Sequence, residues 1–306
     1  MPGLSPQNGA VIHDLPEVSL VTDGDGLRQP VLIGVAAATR MMANILMGTV
    51  LAVYIGERGT PFAVSLVMTA YWFGLMFFAP VWGAVADVTG RRREVVVGTG
   101  LLATLAILPL TLTDGVWLPI GLRAVYAAFA AGFMPVMLSI VSAHGGIEAR
   151  GRSIGFFNSA YAAGFAGGRF GAGVLLGLVL PSSLFLVVAA VSLVSTVAVV
   201  FLEDPTPDPG TDPTLEELAG EIRTRLLPAV GDREHLRSHG LRWLYVALAL
   251  RNMTVLGIGG LLAPYLIGTV GVSAVVMGFV LALNPGSQVI SMYLFGKVAD
   301  AAGRKP

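Results

Sequence analysis

Long apolar segments constrain the fold of this chain more than any other feature of its sequence. A helix of about 20 mainly apolar residues can cross a lipid bilayer. The runs lack the polar–apolar alternation of a membrane barrel, and an open sheet would leave amides unpaired in lipid. We therefore predict an all-α membrane protein with eight spanning helices: 31–54, 62–86, 95–113, 116–142, 153–180, 183–202, 242–267 and 273–295.

The composition supports contact with lipid and excludes several classes of protein. Of the 306 residues, 55% are hydrophobic and 12% are charged, whereas about a quarter of a soluble domain is charged. The net charge is zero, which argues against a nucleic-acid partner. There is no cysteine, and no motif of a nucleotide-binding loop, serine hydrolase or zinc protease. We predict no catalytic residue, metal site or cofactor, and no enzymatic activity.

The loops predict orientation and domain organisation. Basic residues concentrate in loops 87–94, 143–152 and 296–306, whereas the opposite loops carry only Arg58. The positive-inside rule then places the N-terminus in the cytoplasm. The domains predicted on this basis are a cytoplasmic tail (1–30), a six-helix half (31–202), a cytoplasmic linker with room for one short amphipathic helix (203–241) and two further helices (242–306).

An acid–glycine–arginine motif occurs twice, each time at the end of an apolar segment. The first copy comprises Gly83, Asp87, Gly90, Arg91 and Arg92, and the second comprises Gly296, Asp300, Gly303, Arg304 and Lys305. A separate alignment matches Arg40 and Tyr54 of the first predicted helix with Arg251 and Tyr265 of the seventh. Because arginine, tyrosine and the whole motif match in order, the pattern indicates an internal duplication.

This duplicated motif resembles the signature of the major facilitator superfamily of secondary transporters. The resemblance implies a 6+6 helix architecture related in parallel, of which about 8 of 12 helices are present, so that the chain is expected to be truncated after helix eight. It also implies alternating access by a multi-pass, monomeric protein of the plasma membrane. The expected partners are a small-molecule substrate, a coupled ion such as a proton, and the lipid bilayer.

The family also suggests a role for the loop acid, which docks near a helix end in the opposite half. By that resemblance, the partner of Asp87 lies in the missing part, and that of Asp300 lies near Arg152 and Ser153. From the residues alone, Asp87 can pair with the following arginines or with helix N-terminal amides. We expect the motif to act as a gate latch as well as to set the topology.

Four arginines lie inside predicted spans, where a charge is costly and needs a cavity, a partner or a route to the interface. Arg40 and Arg251 have three open interpretations: snorkelling to the boundary, binding an anion from a central cavity, or pairing with backbone carbonyls. Resemblance implies coupling or helix positioning for Arg123, although the glycine expected four residues later is Ala127. Arg169 stands where antiporter members have proline, within a glycine-rich segment that predicts close helix packing.

No acidic residue lies inside a predicted span, so the remaining polar candidates for a cavity are amides: Asn44, Asn158, Asn252 and Asn284. We predict a secondary transporter that exports a drug-like or hydrophobic metabolite. The alternative substrate is a small organic anion bound by Arg40 and Arg251. The alternative from another class is a non-transporting membrane sensor or scaffold.

Overall fold

The computed structural model describes residues 24–179, 181–205, 214–226 and 241–302, and the described part is helical without strands. Its helices are α1 (Gly24–Arg58), α2 (Pro61–Thr89), α3 (Arg92–Ile107), α4 (Trp117–Ala130), α5 (Phe133–His144), α6 (Gly146–Leu178), α7 (Pro181–Val200), α8 (Leu215–Leu226), α9 (Leu241–Tyr265) and α10 (Ala274–Ala302). A 3-10 turn (Leu108–Leu112) extends α3, and a π-helical turn (Leu266–Val270) extends α9.

Seven helical segments of the described chain are long and apolar enough to cross a membrane. The helices α4 and α5 together make one of these, since only Ala131 and Gly132 interrupt them. The predicted span at 153–180 is not among the seven, although α6 is a continuous helix of 33 residues. Its many glycines and Arg169 lower its hydropathy. The prediction of an all-α membrane architecture is confirmed.

Two predicted loops are wrong in part, because helices extend into them. The predicted loop at 143–152 is already helical from Gly146, so Arg150 and Arg152 lie on α6. The loop predicted to begin at 296 is helical as far as Ala302. By contrast, α2 does end at its motif, with Gly90 in the left-handed conformation (φ 67°) that favours glycine.

Glycine allows the helices of this bundle to approach closely. On α6, a Cβ at Gly164 would meet the backbone oxygen of Ala38, and one at Gly168 would lie 2.9 Å from the backbone oxygen of Met42 on α1. Further along α6, a Cβ at Gly173 would lie 2.6 Å from the Cα of Gly278 on α10. The predicted glycine packing is therefore observed, and it joins α6 both to α1 and to α10.

The helix α8, from the predicted linker, packs against α2. It begins with a capping box, in which the Glu217 amide donates to Thr214 Oγ1 (3.2 Å) and the Thr214 amide donates to Glu217 Oε2 (2.9 Å). This local signal explains why a short polar sequence forms a helix here, and its packing brings Arg225 against the loop motif.

Candidate functional site

A cavity of about 160 Å³ lies between helices of both predicted halves. Most of its lining is apolar or aromatic, with Tyr71 and Trp72 from α2 and Tyr161 and Phe165 from α6. Its polar lining includes two arginines and one asparagine. The complete lining is Met41, Asn44, Ile45, Gly48, Thr49, Ala52, Met68, Tyr71, Trp72, Leu75, Arg123, Tyr161, Phe165, Arg169, Val255, Gly259, Gly260 and Ala263.

Arg123, on α4, is the most deeply buried charge of this cavity, with 3% of its surface exposed. Its Nη2 donates to Asn44 Oδ1 at 3.0 Å, and its Cζ lies 4.2 Å from the centre of the Tyr71 ring. The Nε and Nη1 atoms have no hydrogen-bond partner. Gly48 makes room for the guanidinium, since a Cβ there would lie 3.2 Å from Arg123 Nη2.

Asn44 links Arg123 to Tyr71. Its Nδ2 donates to the Tyr71 hydroxyl at 2.6 Å while its Oδ1 accepts from Arg123. Tyr71 also stacks on the buried Tyr126, with ring centroids 6.4 Å apart. The sequence indicated Asn44 and Arg123 as cavity residues, and the structure places both there in direct contact. It did not indicate Tyr71, whose phenol holds the asparagine in position.

The family pattern has a glycine where this chain has Ala127, and the neighbouring helix α2 has a glycine, Gly74, opposite that position. A Cβ at Gly74 of α2 would lie 2.6 Å from the Cβ of Ala127 on α4. The close contact between α2 and α4 thus depends on a glycine, but α2 provides it. This contact keeps Tyr71 and Arg123 on adjacent faces of the cavity.

Arg169, on α6, lines the same cavity. Its Cζ lies 5.5 Å from the centre of the Phe165 ring, and its Nη2 would lie 3.9 Å from a Cβ at Gly259 of α9. The guanidinium therefore reaches from α6 toward α9. No residue that lines the cavity in the described part of the chain is acidic.

Arg40 does not line the cavity. Its Nη1 donates to Ser192 Oγ at 2.9 Å and its Nη2 to Thr196 Oγ1 at 3.0 Å, both on α7. Ser192 in turn contacts the hydroxyl of Thr104 on α3 at 2.7 Å. At 4% exposure Arg40 does not snorkel either. It joins three helices through side-chain hydroxyls, an arrangement outside the three interpretations of its sequence.

The sequence contains a pattern that matches this network. Ser192, Ser195 and Thr196 have the i, i+3, i+4 spacing of one helical face within an otherwise apolar segment. Ser195 Oγ donates to the backbone oxygen of Ala36, next to the Arg40 site. Hydroxyl side chains on one face of an apolar helix therefore mark the face that packs against the Arg40 site.

The remaining polar candidates lie outside the cavity lining. Arg251 and Asn252 are exposed on α9, so Arg40 and Arg251 do not form an anion site in this structure. Asn158 is half-buried on α6. Asn284 is exposed on α10, where its Oδ1 accepts a hydrogen bond from Gln288 Nε2 at 2.8 Å.

Asp87 of the loop motif pairs with two arginines. Its Oδ1 accepts from Arg92 Nη2 at 3.3 Å and its Oδ2 from Arg225 Nη2 at 2.9 Å. The pairing with a following arginine agrees with the prediction from the residues. A second partner, Arg225 of α8, was not predicted, and the expected docking of Asp87 in the opposite half stays a prediction. Gly83 leaves room for this arginine, because a Cβ there would lie 3.1 Å from Arg225 Nη1.

Arg225 also donates from Nε to Glu221 Oε1 at 2.8 Å. Partial burial lowers the pKa of Arg225, but its hydrogen bonds to Glu221 and Asp87 outweigh that effect and raise it overall. The guanidinium therefore stays charged. Its i, i+4 spacing from Glu221 was visible in the sequence, but no sequence pattern indicated that Arg225 reaches Asp87.

The second motif copy is only partly within the described residues. Gly296 and Asp300 lie on α10, while Gly303, Arg304 and Lys305 lie outside the described range. The predicted contact of Asp300 near Arg152 therefore stays a prediction.

Comparison with known proteins agrees with this architecture. A multi-drug resistance efflux pump, PmrA, from two strains of Streptococcus pneumoniae (TIGR4 and R6), is 23% identical over 256 residues, covering 81% of this chain. A crystal structure of a bacterial homologue of the human lysosomal transporter Spinster, inward-facing and unoccupied, matches the fold with a TM-score of 0.58. It is 16% identical and covers 91% of this chain.

The present chain spans 60% of the length of the curated relatives and 64% of the Spinster homologue. Residues 32–306 match the family model described as Major Facilitator Superfamily. Members of that family are membrane transporters rather than enzymes, in agreement with the seven candidate spans. The chain therefore belongs to the Major Facilitator Superfamily.

Proposed function

We propose that this protein exports a drug-like or hydrophobic small molecule by alternating access through the cavity between its halves. The main support is that helices of both halves contribute to one mostly apolar lining. The first half contributes α1, α2, α4 and α6, and the second contributes α9. Ligand sites with apolar walls and a few placed polar groups are typical of small-molecule binding. The name of the PmrA relatives, multi-drug resistance efflux pumps, supports export.

We further propose a monomer in the plasma membrane, with the N-terminus in the cytoplasm, as the basic loops favour. A proton is the proposed coupled ion. Because no acidic residue lines the cavity in the described part, the proton would be carried by a group elsewhere. The rival sensor or scaffold function has no specific observation in its favour.

Export can be tested by expressing the complete gene in cells that lack their own efflux pumps. We expect cells loaded with a fluorescent hydrophobic dye to lose it faster than vector controls, and collapse of the proton gradient to remove the difference. Trp72→Ala, which opens the aromatic wall, should change the dye preference while expression stays normal. Equal dye loss with and without the protein, across a panel of dyes, would refute export.

We propose that the contact between α8 and the loop motif is the gate latch of this protein. Asp87, Arg92, Glu221 and Arg225 form one ion-pair network that connects α2 to the linker helix. The linker joins the two halves along the chain, so the network couples the end of α2 to the segment that must move when the halves rock. A partly exposed pair is worth about 0.2–1 kcal/mol, which suits a contact that forms and breaks in each cycle.

Exchanging the charges should distinguish a latch from a loop that only sets topology. We expect Asp87→Asn and Arg225→Gln each to change the transport rate by up to about fivefold, as up to 1 kcal/mol allows. In the double variant, the second change should add little to the first. Arg223→Gln, also on α8 but outside the observed ion pairs, is the matched control. Additive effects of Asp87→Asn and Arg225→Gln would contradict a shared contact.

A further inference from the structure

We propose that the cavity selects organic anions: molecules with an aromatic or aliphatic body and an acidic group that is attracted by Arg123 and Arg169, the two arginines of its lining. This inference names the substrate class of the proposed transporter and so rests on the proposed function.

The two arginines of the cavity have no acidic partner in its described lining. Arg123 and Arg169 line one cavity, and no acidic side chain lines it in the described part of the chain. The contacts of Arg123 are all with neutral groups: the Asn44 amide and the rings of Tyr71 and Tyr126. A buried cation without a counterion is costly. A bound anion would supply the missing charge.

Arg123 has hydrogen-bond donors that no described group accepts from. A guanidinium has five N–H donors in a fork that matches a carboxylate. One nitrogen, Nη2, is occupied by Asn44, while Nε and Nη1 are buried without a partner. In a side chain that is 3% exposed, these donors lack an acceptor within the described structure, so the guanidinium keeps capacity for a further hydrogen bond when its surroundings rearrange around a ligand.

The rest of the cavity lining is mostly apolar and aromatic, which favours an organic anion over an inorganic one. Trp72, Phe165, Met41 and Met68 line the same cavity with aromatic and thioether surface. A small hydrated ion such as chloride would gain nothing from these groups, whereas an aromatic acid would bury its ring against them. The cavity thus has both a charge-binding part and an apolar part.

This site differs from the one suggested by the internal repeat. The repeat pairs Arg40 with Arg251, but Arg40 is held by α7 and Arg251 is exposed on α9. Arg123 and Arg169 are not related by that repeat. The organic-anion alternative therefore survives with a different pair of arginines.

Binding to the purified chain in lipid nanodiscs tests the proposal without requiring transport. Three probes share one ring system and differ in charge: 2-naphthoate, 2-naphthamide and 2-naphthylmethylammonium. Equilibrium dialysis, corrected with protein-free nanodiscs, gives the affinity of each. We expect naphthoate to bind roughly tenfold more tightly than naphthamide, since charge-assisted hydrogen bonds are about twice as strong as neutral ones, and the ammonium to bind weakest.

Variants test whether Arg123 and Arg169 produce the preference for naphthoate over naphthamide. Arg169→Gln and Arg123→Gln should each reduce the naphthoate-to-naphthamide ratio by roughly tenfold while leaving naphthamide binding in place. Arg123→Lys should retain part of it, because it keeps the charge but loses the fork. Arg169→Gln keeps the test valid if Arg123→Gln does not fold. Arg251→Gln, also in a predicted span but outside the cavity, is the matched control.

Equal affinities for the three probes, or a preference that survives both glutamine variants, would overturn the anion site. Loss of the preference in Arg251→Gln alone would move the site to α9 and would also overturn it. These outcomes are separate from those of the dye-export test. A protein that exports neutral dyes without charge preference keeps the proposed function and loses the anion site, whereas anion binding without any flux does the reverse.

Discussion

Replacing Gly164 with alanine should destabilise the helix bundle by about 2 kcal/mol or more, the upper part of the range for overpacking. The added Cβ would meet the backbone oxygen of Ala38 and lie 2.7 Å from its carbonyl carbon. A backbone atom cannot rotate away as a side chain can, so α6 and α1 would have to separate. The thermal unfolding midpoint of the purified protein, with helicity followed by circular dichroism, measures the effect.

Gly155→Ala is the matched control, since it makes the same change on the same helix. A Cβ at Gly155 has no neighbour within 4 Å, and alanine is the better helix former by up to about 1 kcal/mol. We therefore expect Gly155→Ala to leave stability unchanged or to raise it. If Gly164→Ala behaves in the same way, the close contact between α6 and α1 is not a determinant of stability.

Removing the hydroxyls that hold Arg40 should have an effect of similar size. In Ser192→Ala/Thr196→Val, the guanidinium stays buried but loses both of its observed acceptors. Hydrogen bonds to charged groups contribute about 1.5–3 kcal/mol each, although polar contacts between membrane helices average less. We expect a loss of about 2–4 kcal/mol in the free energy of unfolding, measured by the same thermal assay.

Two further variants separate a buried charge from a missing side chain. Arg40→Met removes the charge but keeps an unbranched side chain of similar reach, and adding it to Ser192→Ala/Thr196→Val should restore most of the lost stability. Ser142→Ala is the control, because that hydroxyl bonds only within its own helix, to the backbone oxygen of Leu138. No recovery in the triple variant would show that the hydroxyls do not act through Arg40.

The long apolar runs were sufficient to predict most of the helices, because lipid offers no alternative to internal backbone hydrogen bonds. Their ends were less well predicted. The helix α6 begins at Gly146, before the apolar run at 153, since nothing at Arg150 or Arg152 prevents a helix from continuing. At Gly90, by contrast, a glycine in the left-handed conformation ends the helix where the motif predicted a turn.

For the cavity, the sequence indicated which polar residues were unusual but not how they associate. Four arginines within apolar runs were equally conspicuous, yet two line the cavity, one joins three helices and one is exposed. Spacing along a helix assigns residues to the same face, but it does not determine which neighbour that face meets. Tyr71 and the hydroxyls of α7 were therefore missed, because tyrosine and serine are common in membrane helices.

The sequence by itself determined the class, the family resemblance and the chemistry available: an all-α membrane protein with a duplicated loop motif and with four arginines inside predicted spans that contain no acidic residue. Only the tertiary structure decided that Arg123 and Arg169 share a cavity, that Arg40 is bound by α7, and that Asp87 pairs with Arg225. The physical reason is that these contacts join residues of different helices. Their formation depends on how closely the helices pack, which glycines such as Gly164 and Gly173 permit.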